Sequence, residues 1–251
     1  VKVSIRDLEN WEFGAVGIAN PKISTLRRYF ELIQATNEIP GDVAEFGVSR
    51  GSSIITTGLL LSGLNSKIIF GFDTFFGFPS YSDYDDFEIF NELYEKNVIS
   101  KNHFERVLKN KDYVLARGSN TEPKNISTSM DFSATSLEIV QSKINYFALQ
   151  DRIELVVGDF TKNLQDKLSN KTFSLVLIDS DLYESYEKIL PIVWNHLSPG
   201  GYIYLDEYYS LKFPGPRIAV DSFVKNQKSI LVRLPDWLDF ERWALHKPLN
   251  I

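Results

Sequence analysis

Residues 175–185, LVLIDSDLYES, place an apolar run, Leu175 to Ile178, directly before two carboxylates spaced two residues apart, Asp179 and Asp181. A second apolar run, Tyr202 to Leu205, ends in another acidic pair, Asp206 and Glu207. Two hydrophobic strands that each end in carboxylates can converge on one small volume. Buried charge of a single sign is costly unless a cation or a proton accompanies it. The pattern therefore points to a metal site or to acid/base chemistry at the edge of a sheet.

The rest of the chain supplies the sheet. Ser24 to Gln34 carries apolar residues at helical spacing and is closed by Pro40 and Gly41. Val43 to Val48 reads as a strand, followed by Ser49, Arg50 and Gly51 and an apolar helix through Leu61. Lys67 to Asp73 is the next strand, which makes a parallel βαβ unit. Regularity weakens from Thr74 to about Ser129, a stretch rich in Phe, Tyr and Asp, and a lid or an Ω-like loop with some helix is expected there. Beyond it come a helix over Ser133 to Leu149 and a strand over Asp151 to Val157. Next are a strand over Phe173 to Asp179 and a helix over Tyr183 to Leu197, stopped by SPGG at Ser198 to Gly201. A strand over Tyr202 to Asp206 and a helix over Ile218 to Gln227 follow. A closing hairpin over Ser229 to Leu234 and Arg242 to His246 ends the chain. The expected fold is α/β: a doubly wound, mostly parallel seven-stranded sheet of Rossmann-like type with a C-terminal antiparallel hairpin. Residues 1–40 form an N-terminal helical extension to a domain over 41–251, with a lid insertion at about 75–129.

Composition narrows the function. Lys plus Arg number 27 against 33 for Asp plus Glu, a net charge of −6, with no long basic block, so no nucleic-acid partner is expected. No cysteine is present, which excludes disulfides and thiolate metal sites. No apolar stretch approaches the roughly 20 residues needed to span a bilayer. No signal peptide is legible from Val1 onward, and the missing initiator Met points to a trimmed start. A soluble, cytoplasmic protein without a membrane partner is expected, with the N-terminal helix and the insertion as candidate surfaces for a homo-oligomer.

Four motifs carry chemistry. In EFGVSRGSS, Glu45 to Ser53, the strand ends at Gly47 and the helix starts at Gly51. Glycines allow close backbone approach, and helix N-terminal amides favour a negative group. The spacing is GxxxG, not the GxGxxG of dinucleotide folds, and a turn of this kind is either structural or ligand-binding. Glu45, Gly47, Ser49, Gly51 and Ser52 are the candidate contacts. Asp73, followed by Thr74 at the end of the second strand, can accept hydrogen bonds from both hydroxyls of a ribose, or can serve as a turn residue. Asp159 can contact an adenine amino group with Phe160 packed on the ring, or can cap the helix at Thr161 with Phe160 in the core. Asp179, Asp206 and Glu207 offer the hard oxygen ligands preferred by Mg²⁺, Mn²⁺ or Ca²⁺. Asp181 is placed to act as general base on a bound hydroxyl; otherwise it caps the following helix. The aromatic stretch Phe75 to Tyr94 either encloses a ligand or packs internally. Arg217 stands as an anion contact or a surface residue. His103, His196 and His246 make no HxxxH or Ser-His-Asp pattern.

Together EFGVSRGSS, FDTFFGFP, LIDSDLYES, LSPGGYIYLDEYYS and PGPRIAVDSF resemble the macrocin O-methyltransferase family over roughly Gly41 to Val224. Members are class I S-adenosylmethionine-dependent enzymes, several of which methylate sugar hydroxyls on antibiotics. The resemblance implies Mg²⁺, or another divalent cation, on the carboxylates at Asp179, Asp206 and Glu207, and a general base at Asp181. It also implies that Glu45 and Gly47 line the S-adenosylmethionine pocket and that Asp73 holds its ribose. Glu207 stands where the family commonly has a second aspartate. The implied acceptor is a hydroxyl of a sugar or glycosylated metabolite. A catechol or phenol acceptor is the first alternative, because both diol types chelate a metal through two oxygens. A non-catalytic nucleoside- or sugar-binding module is the second.

Overall fold

The computed structural model describes residues 26–116, 132–227, 230–235 and 241–249. Its elements, in chain order, are α1 (Leu26–Ala35), β1 (Asp42–Phe46), α2 (Ser52–Ser62), β2 (Ile69–Asp73), α3 (Ile89–Glu95), α4 (Lys101–Ala116) and α5 (Leu137–Tyr146). They continue with β3 (Ile153–Val157), α6 (Leu164–Lys167), β4 (Phe173–Ile178), α7 (Tyr183–His196), β5 (Leu197–Leu205), α8 (Gly215–Asn226), β6 (Ile230–Leu234) and β7 (Arg242–His246). Short 3₁₀ turns occupy Asp83–Asp85 and Asp206–Tyr209.

Seven strands form one sheet in the order β3-β2-β1-β4-β5-β7-β6. The first five pair in parallel, and β7 runs antiparallel between β5 and β6. The expected doubly wound sheet with a terminal antiparallel hairpin is thus the one observed. Every residue of β4 is buried, as a central parallel strand covered by helices on both faces requires. Period-two alternation sorts its side chains. Val176 and Ile178 join Phe46, Ile189 and Val193 in one core, while Leu175 and Leu177 join Val43, Ile54 and Ile144 in the other.

Three differences from the expected elements have physical causes. Ser198 to Gly201 does not turn the chain. Instead β5 begins at Leu197, directly after α7, with an irregular register against Phe173 and Leu175. Lys247 closes the end of α7 by donating to the carbonyls of Trp194 (2.9 Å) and Leu197 (2.7 Å), so no loop is needed there. The insertion is more helical than expected. α3 and α4 enclose a small core of their own, with Phe87, Phe90, Leu93, Ile99 and Val107 buried. The helix expected over Ser133 to Leu149 is shorter, starting after Ser136, whose hydroxyl accepts from Ile139 N.

The topology fixes where a ligand can go. The chain passes from β1 outward to β2 and β3, then returns to β4 on the other side, so the β1/β4 boundary is the switch point where open α/β sheets bind ligands. There the backbones come very close. Gly47 has φ +92°, and a side chain on it would run into the carbonyl of Asp179. Its glycine is thus required by the meeting of two strand ends. Gly47→Ala should lower stability by about 2–5 kcal/mol, combining left-handed strain with overpacking. A urea-unfolding midpoint shifted down by that amount is expected; an unchanged midpoint would show that the two strand ends can part.

Candidate active site

A cleft of about 280 Å³ opens over the C-terminal ends of β1, β2 and β4. Of the residues singled out in the sequence, Gly47, Ser49, Ser52, Asp73, Thr74, Phe160, Asp179 and Asp181 line it. Asp73 accepts from Ser49 N and Phe75 N, both at 2.7 Å, one on each carboxylate oxygen. It therefore ties the glycine turn to the end of β2, and each oxygen keeps a lone pair toward the cleft. The turn is fixed from outside as well. Lys143 donates to Arg50 O (2.7 Å), Thr135 to Ser49 O (2.7 Å), and Arg50 Nε to Ala134 O (2.9 Å). Gly51, at φ +82°, caps α2 against Val140.

Two residues stand elsewhere. Asp159 is outside the cleft lining. Its carboxylate accepts from Thr161 N (3.0 Å) and Thr161 Oγ1 (2.6 Å) and pairs with Lys162, the geometry of a capping turn. Burial acts to raise its pKa, but these bonds outweigh it and the net shift is downward. Glu45 lies beneath the glycine turn at 1% exposure. Ser53 donates to its Oε1, and its buried Oε2 has no protein partner. Burial, with the Asp179 and Asp73 charges adding, pushes Glu45 up to about 8.

Beside the cleft the strand-end carboxylates gather. Oxygens of Asp179, Asp181 and Glu207 lie within 4.8 Å of one another. Burial, then the Asp206 charge, raises the pKa of Asp179. Burial, then Asp179 and Asp206, raises Asp181 well above its ordinary value. Glu207 is raised well above its own by burial and by the other three acids. Asp179 and Asp181 keep an edge on the cleft, which tempers their shifts; Glu207 is buried. The Tyr186 hydroxyl lies 2.6 Å from Glu207 Oε2 and 2.9 Å from Ile178 O, and it accepts from Glu207 N. Its single proton serves one of those acceptors. When that is the carbonyl, a protonated Glu207 donates to the phenol oxygen. Three hard oxygen donors with depressed acidity in one knot are what a divalent cation of the Mg²⁺ type would relieve.

Asp206 stands apart from this trio, and the register says why. Leu205 pairs with Trp243 across the antiparallel β5/β7 boundary, so the next position sets Asp206 beside Arg242. Arg242 Nη1 donates to Asp206 Oδ1 (3.0 Å) and to its carbonyl (3.1 Å), and Tyr204 adds a bond to Oδ1 (2.9 Å).

Several groups at the site were not singled out in the sequence. Tyr186 and Arg242 organise the acids. Lys212 sits near Asp181 with its ammonium 4.7 Å from the Phe213 ring centroid, its pKa lowered by burial against the pull of Asp181. Ser180 lines the cleft at 6% exposure, and its hydroxyl has no protein partner, so a bound group can complete it. Phe78 and Phe132, ring centroids 5.1 Å apart, wall the cleft, whereas Phe75, Phe87 and Phe90 pack internally. A phenol one turn into the helix after LIDSDLYES was the one legible signal for Tyr186. The histidines are structural in their contacts. His103 Nε2 bonds Ser210 O (2.7 Å) while its ring stacks on Tyr209, His196 Nδ1 bonds Lys171 O, and His246 stacks on Tyr202. Arg217 pairs with Asp221 and donates to Val98 O.

The family model for macrocin-O-methyltransferase matches residues 7–114 and 93–236, most of the chain. The chain belongs to that family. The mycinamicin III 3''-O-methyltransferase of Micromonospora griseorubida is 26% identical over 188 residues, covering 74% of this chain. The chain spans 61% of the length of that curated relative. The crystal structure of CalS11, a calicheamicin methyltransferase, superposes with a TM-score of 0.60 at 20% identity, covering 98% of this chain and 94% of the other. An O-methyltransferase from Bacillus cereus in complex with S-adenosylhomocysteine superposes with a TM-score of 0.51 at 14% identity, covering 98% and 93%. At these identities the two structures show a shared methyltransferase fold. No helix among the described residues is long and apolar enough to cross a membrane.

Glu45 gives this family member a defined pH response. Below its ordinary value of 4.5 both folded and unfolded chains hold the proton. Between 4.5 and about 8 the folded chain keeps a proton that the unfolded chain has lost, so stability falls as pH rises and the loss is complete above about 8. At about 1.4 kcal/mol per pKa unit the fall amounts to several kcal/mol at most. Glu45→Gln should remove it. Urea-unfolding free energies measured from pH 5 to 8.5 should decline for the parent protein relative to the variant, and parallel curves would contradict the buried, proton-bearing Glu45.

Proposed function

We propose that this chain is an S-adenosylmethionine-dependent O-methyltransferase that acts on a hydroxyl of a sugar or glycosylated metabolite, with a Mg²⁺-type divalent cation at the carboxylate knot. One juxtaposition carries this: Asp181 lines the switch-point cleft while sharing a 4.8 Å cluster with Asp179 and Glu207. Membership of the macrocin-O-methyltransferase family supports it, as does the sugar-directed name of the Micromonospora relative. The S-adenosylhomocysteine held by the Bacillus cereus protein of the same fold supports the cofactor.

S-adenosylmethionine, when bound, supplies an electrophilic methyl group, and a divalent cation supplies charge stabilisation at an alcohol oxygen. The residues of this chain do the rest. The backbone N–H groups of the turn from Gly47 to Ser52, at the N-terminus of α2, favour a carboxylate there. Asp73 offers its remaining lone pairs to ribose hydroxyls, and Phe160 gives an apolar wall to a base. Asp179 and Glu207 would hold the cation. Asp181 faces the cleft and would take the hydroxyl proton, while the sulfonium of S-adenosylmethionine would give up its methyl group to the oxygen and leave as the neutral thioether S-adenosylhomocysteine. Its raised pKa brings a carboxylate base closer to neutrality. Phe78 and Phe132 exclude water and present flat faces to the acceptor.

Calorimetric titration with S-adenosylhomocysteine and an acceptor screen of glycosides and catechols, each with Mg²⁺ and with EDTA, tests this directly. Micromolar cofactor binding, turnover of glycosides and loss of turnover in EDTA are expected. Asp181→Asn should lower kcat by roughly 10²–10⁴-fold while leaving cofactor affinity unchanged. Absence of cofactor binding, or full turnover by Asp181→Asn, would overturn the assignment.

A further inference from the structure

The inserted segment contributes one buried carboxylate that never reaches the cleft. Asp85, at 1% exposure, ends the 3₁₀ turn Asp83–Asp85. Its Oδ2 accepts from Ser82 N (3.1 Å) and Ser82 Oγ (3.0 Å), and its Oδ1 accepts from Tyr183 N (2.8 Å), 98 residues away in sequence. Tyr183 is the first residue of α7 and lies two positions after Asp181. The N-cap of α7 is Leu182, a side chain with no acceptor to offer. Asp85 thus supplies from the insertion the cap that the local sequence lacks.

That cap adjoins a strained link. Asp181 has φ +63°, and Leu182 N bonds back to Ser180 O at 2.7 Å, so Asp181 occupies the centre of a γ-turn with positive φ. Such turns are rare and cost on the order of 1–3 kcal/mol for a non-glycine residue, and they persist only where the surroundings fix them on both sides. Upstream, Asp179 N bonds to Phe46 O at 2.9 Å, which anchors the turn to the sheet. Downstream, the anchor is Asp85. The fit is tight: a side chain on Gly215, the first residue of α8, would overlap both Asp85 and Tyr183.

We propose that Asp85 is a positioning residue for the reaction: by capping α7 it holds Asp181 in the left-handed turn that presents its carboxylate to the cleft. This rests on the reading of Asp181 as the general base. The insertion then does more than cover an acceptor. The base is correctly presented only when the insertion is docked.

The test compares Asp85→Ala, Asp85→Asn, Ser82→Ala, Gly215→Ala and Asp181→Asn in the full chain. The readouts are kcat, acceptor KM, S-adenosylhomocysteine affinity and thermal midpoint. Asp85→Ala should lower kcat by at least about tenfold with cofactor affinity unchanged and acceptor KM little moved, the pattern of a misplaced catalytic group. Asp85→Asn keeps an oxygen for Tyr183 N and should recover most of kcat. Ser82→Ala leaves the bond to Tyr183 intact and should keep kcat even where the midpoint drops. Should Asp85→Ala fail to fold, Gly215→Ala, which crowds the same contact and keeps the carboxylate, should show the same kcat-selective loss. Normal kcat in Asp85→Ala or Gly215→Ala, no recovery in Asp85→Asn, or an equal loss in cofactor affinity would overturn the proposal. Asp181→Asn separates the two claims. An active Asp181→Asn removes the base itself, whereas an inactive one beside a fully active Asp85→Ala removes only the positioning role.

Discussion

Crowding of like charge at the ends of β4 and β5 is the constraint around which the rest of the structure is arranged. Parallel pairing brings Ile178 opposite Leu205, so whatever follows each residue must share one small volume. The sequence puts acids in both places. Each of the three clustered carboxylates is pushed toward its protonated form by burial and by its neighbours. The surrounding groups limit the damage in different ways. Arg242 takes Asp206 out of the knot through the antiparallel hairpin, Tyr186 bonds Glu207 from α7, and Lys212 offsets part of the charge felt by Asp181. What remains is a site with a deficit of positive charge, open on one side to a cleft. Ground-state discomfort of this kind is common where chemistry is done.

Backbone conformation is the second element of the site. Gly47 lets β1 end against the carbonyl of Asp179, and Asp181 leaves the sheet through a left-handed turn. Neither is tolerated without support. The support comes from distant parts of the chain: Asp73 and Lys143 hold the glycine turn, and Asp85 holds the start of α7. Insertion, sheet and helix therefore meet at one point, and the precision of the proposed base depends on all three.

Much of this was legible in the sequence. The all-apolar runs before Asp179 and Asp206 announced buried parallel strands, and their spacing with intervening helices gave the doubly wound sheet. The cleft could be placed because GVSRG follows a strand and opens a helix. Long-range pairing decided the rest. That Asp206 would turn to Arg242 depends on the β5/β7 register, which brings together residues 36 apart in sequence and has no local signature. Asp159 offered two readings from sequence, and its observed contacts, to Thr161 and Lys162, are those of the local cap. Asp85 looked like one acid among many in YSDYDDF, because only the folded chain brings it to Tyr183. The insertion read as irregular because its helices bury a core separate from that of the sheet and show only short apolar patches.

The knot itself can be tested with one ion. Binding of Mn²⁺ to the protein, followed by loss of the free-ion electron paramagnetic resonance signal, requires its carboxylate ligands to be deprotonated. Affinity should therefore rise with pH and binding should release protons near neutrality. One ion per chain is predicted, tighter at pH 8 than at pH 6, with binding abolished in Asp179→Asn. Failure to bind at millimolar Mn²⁺, or binding that survives Asp179→Asn unchanged, would contradict the account of these carboxylates as a cation site.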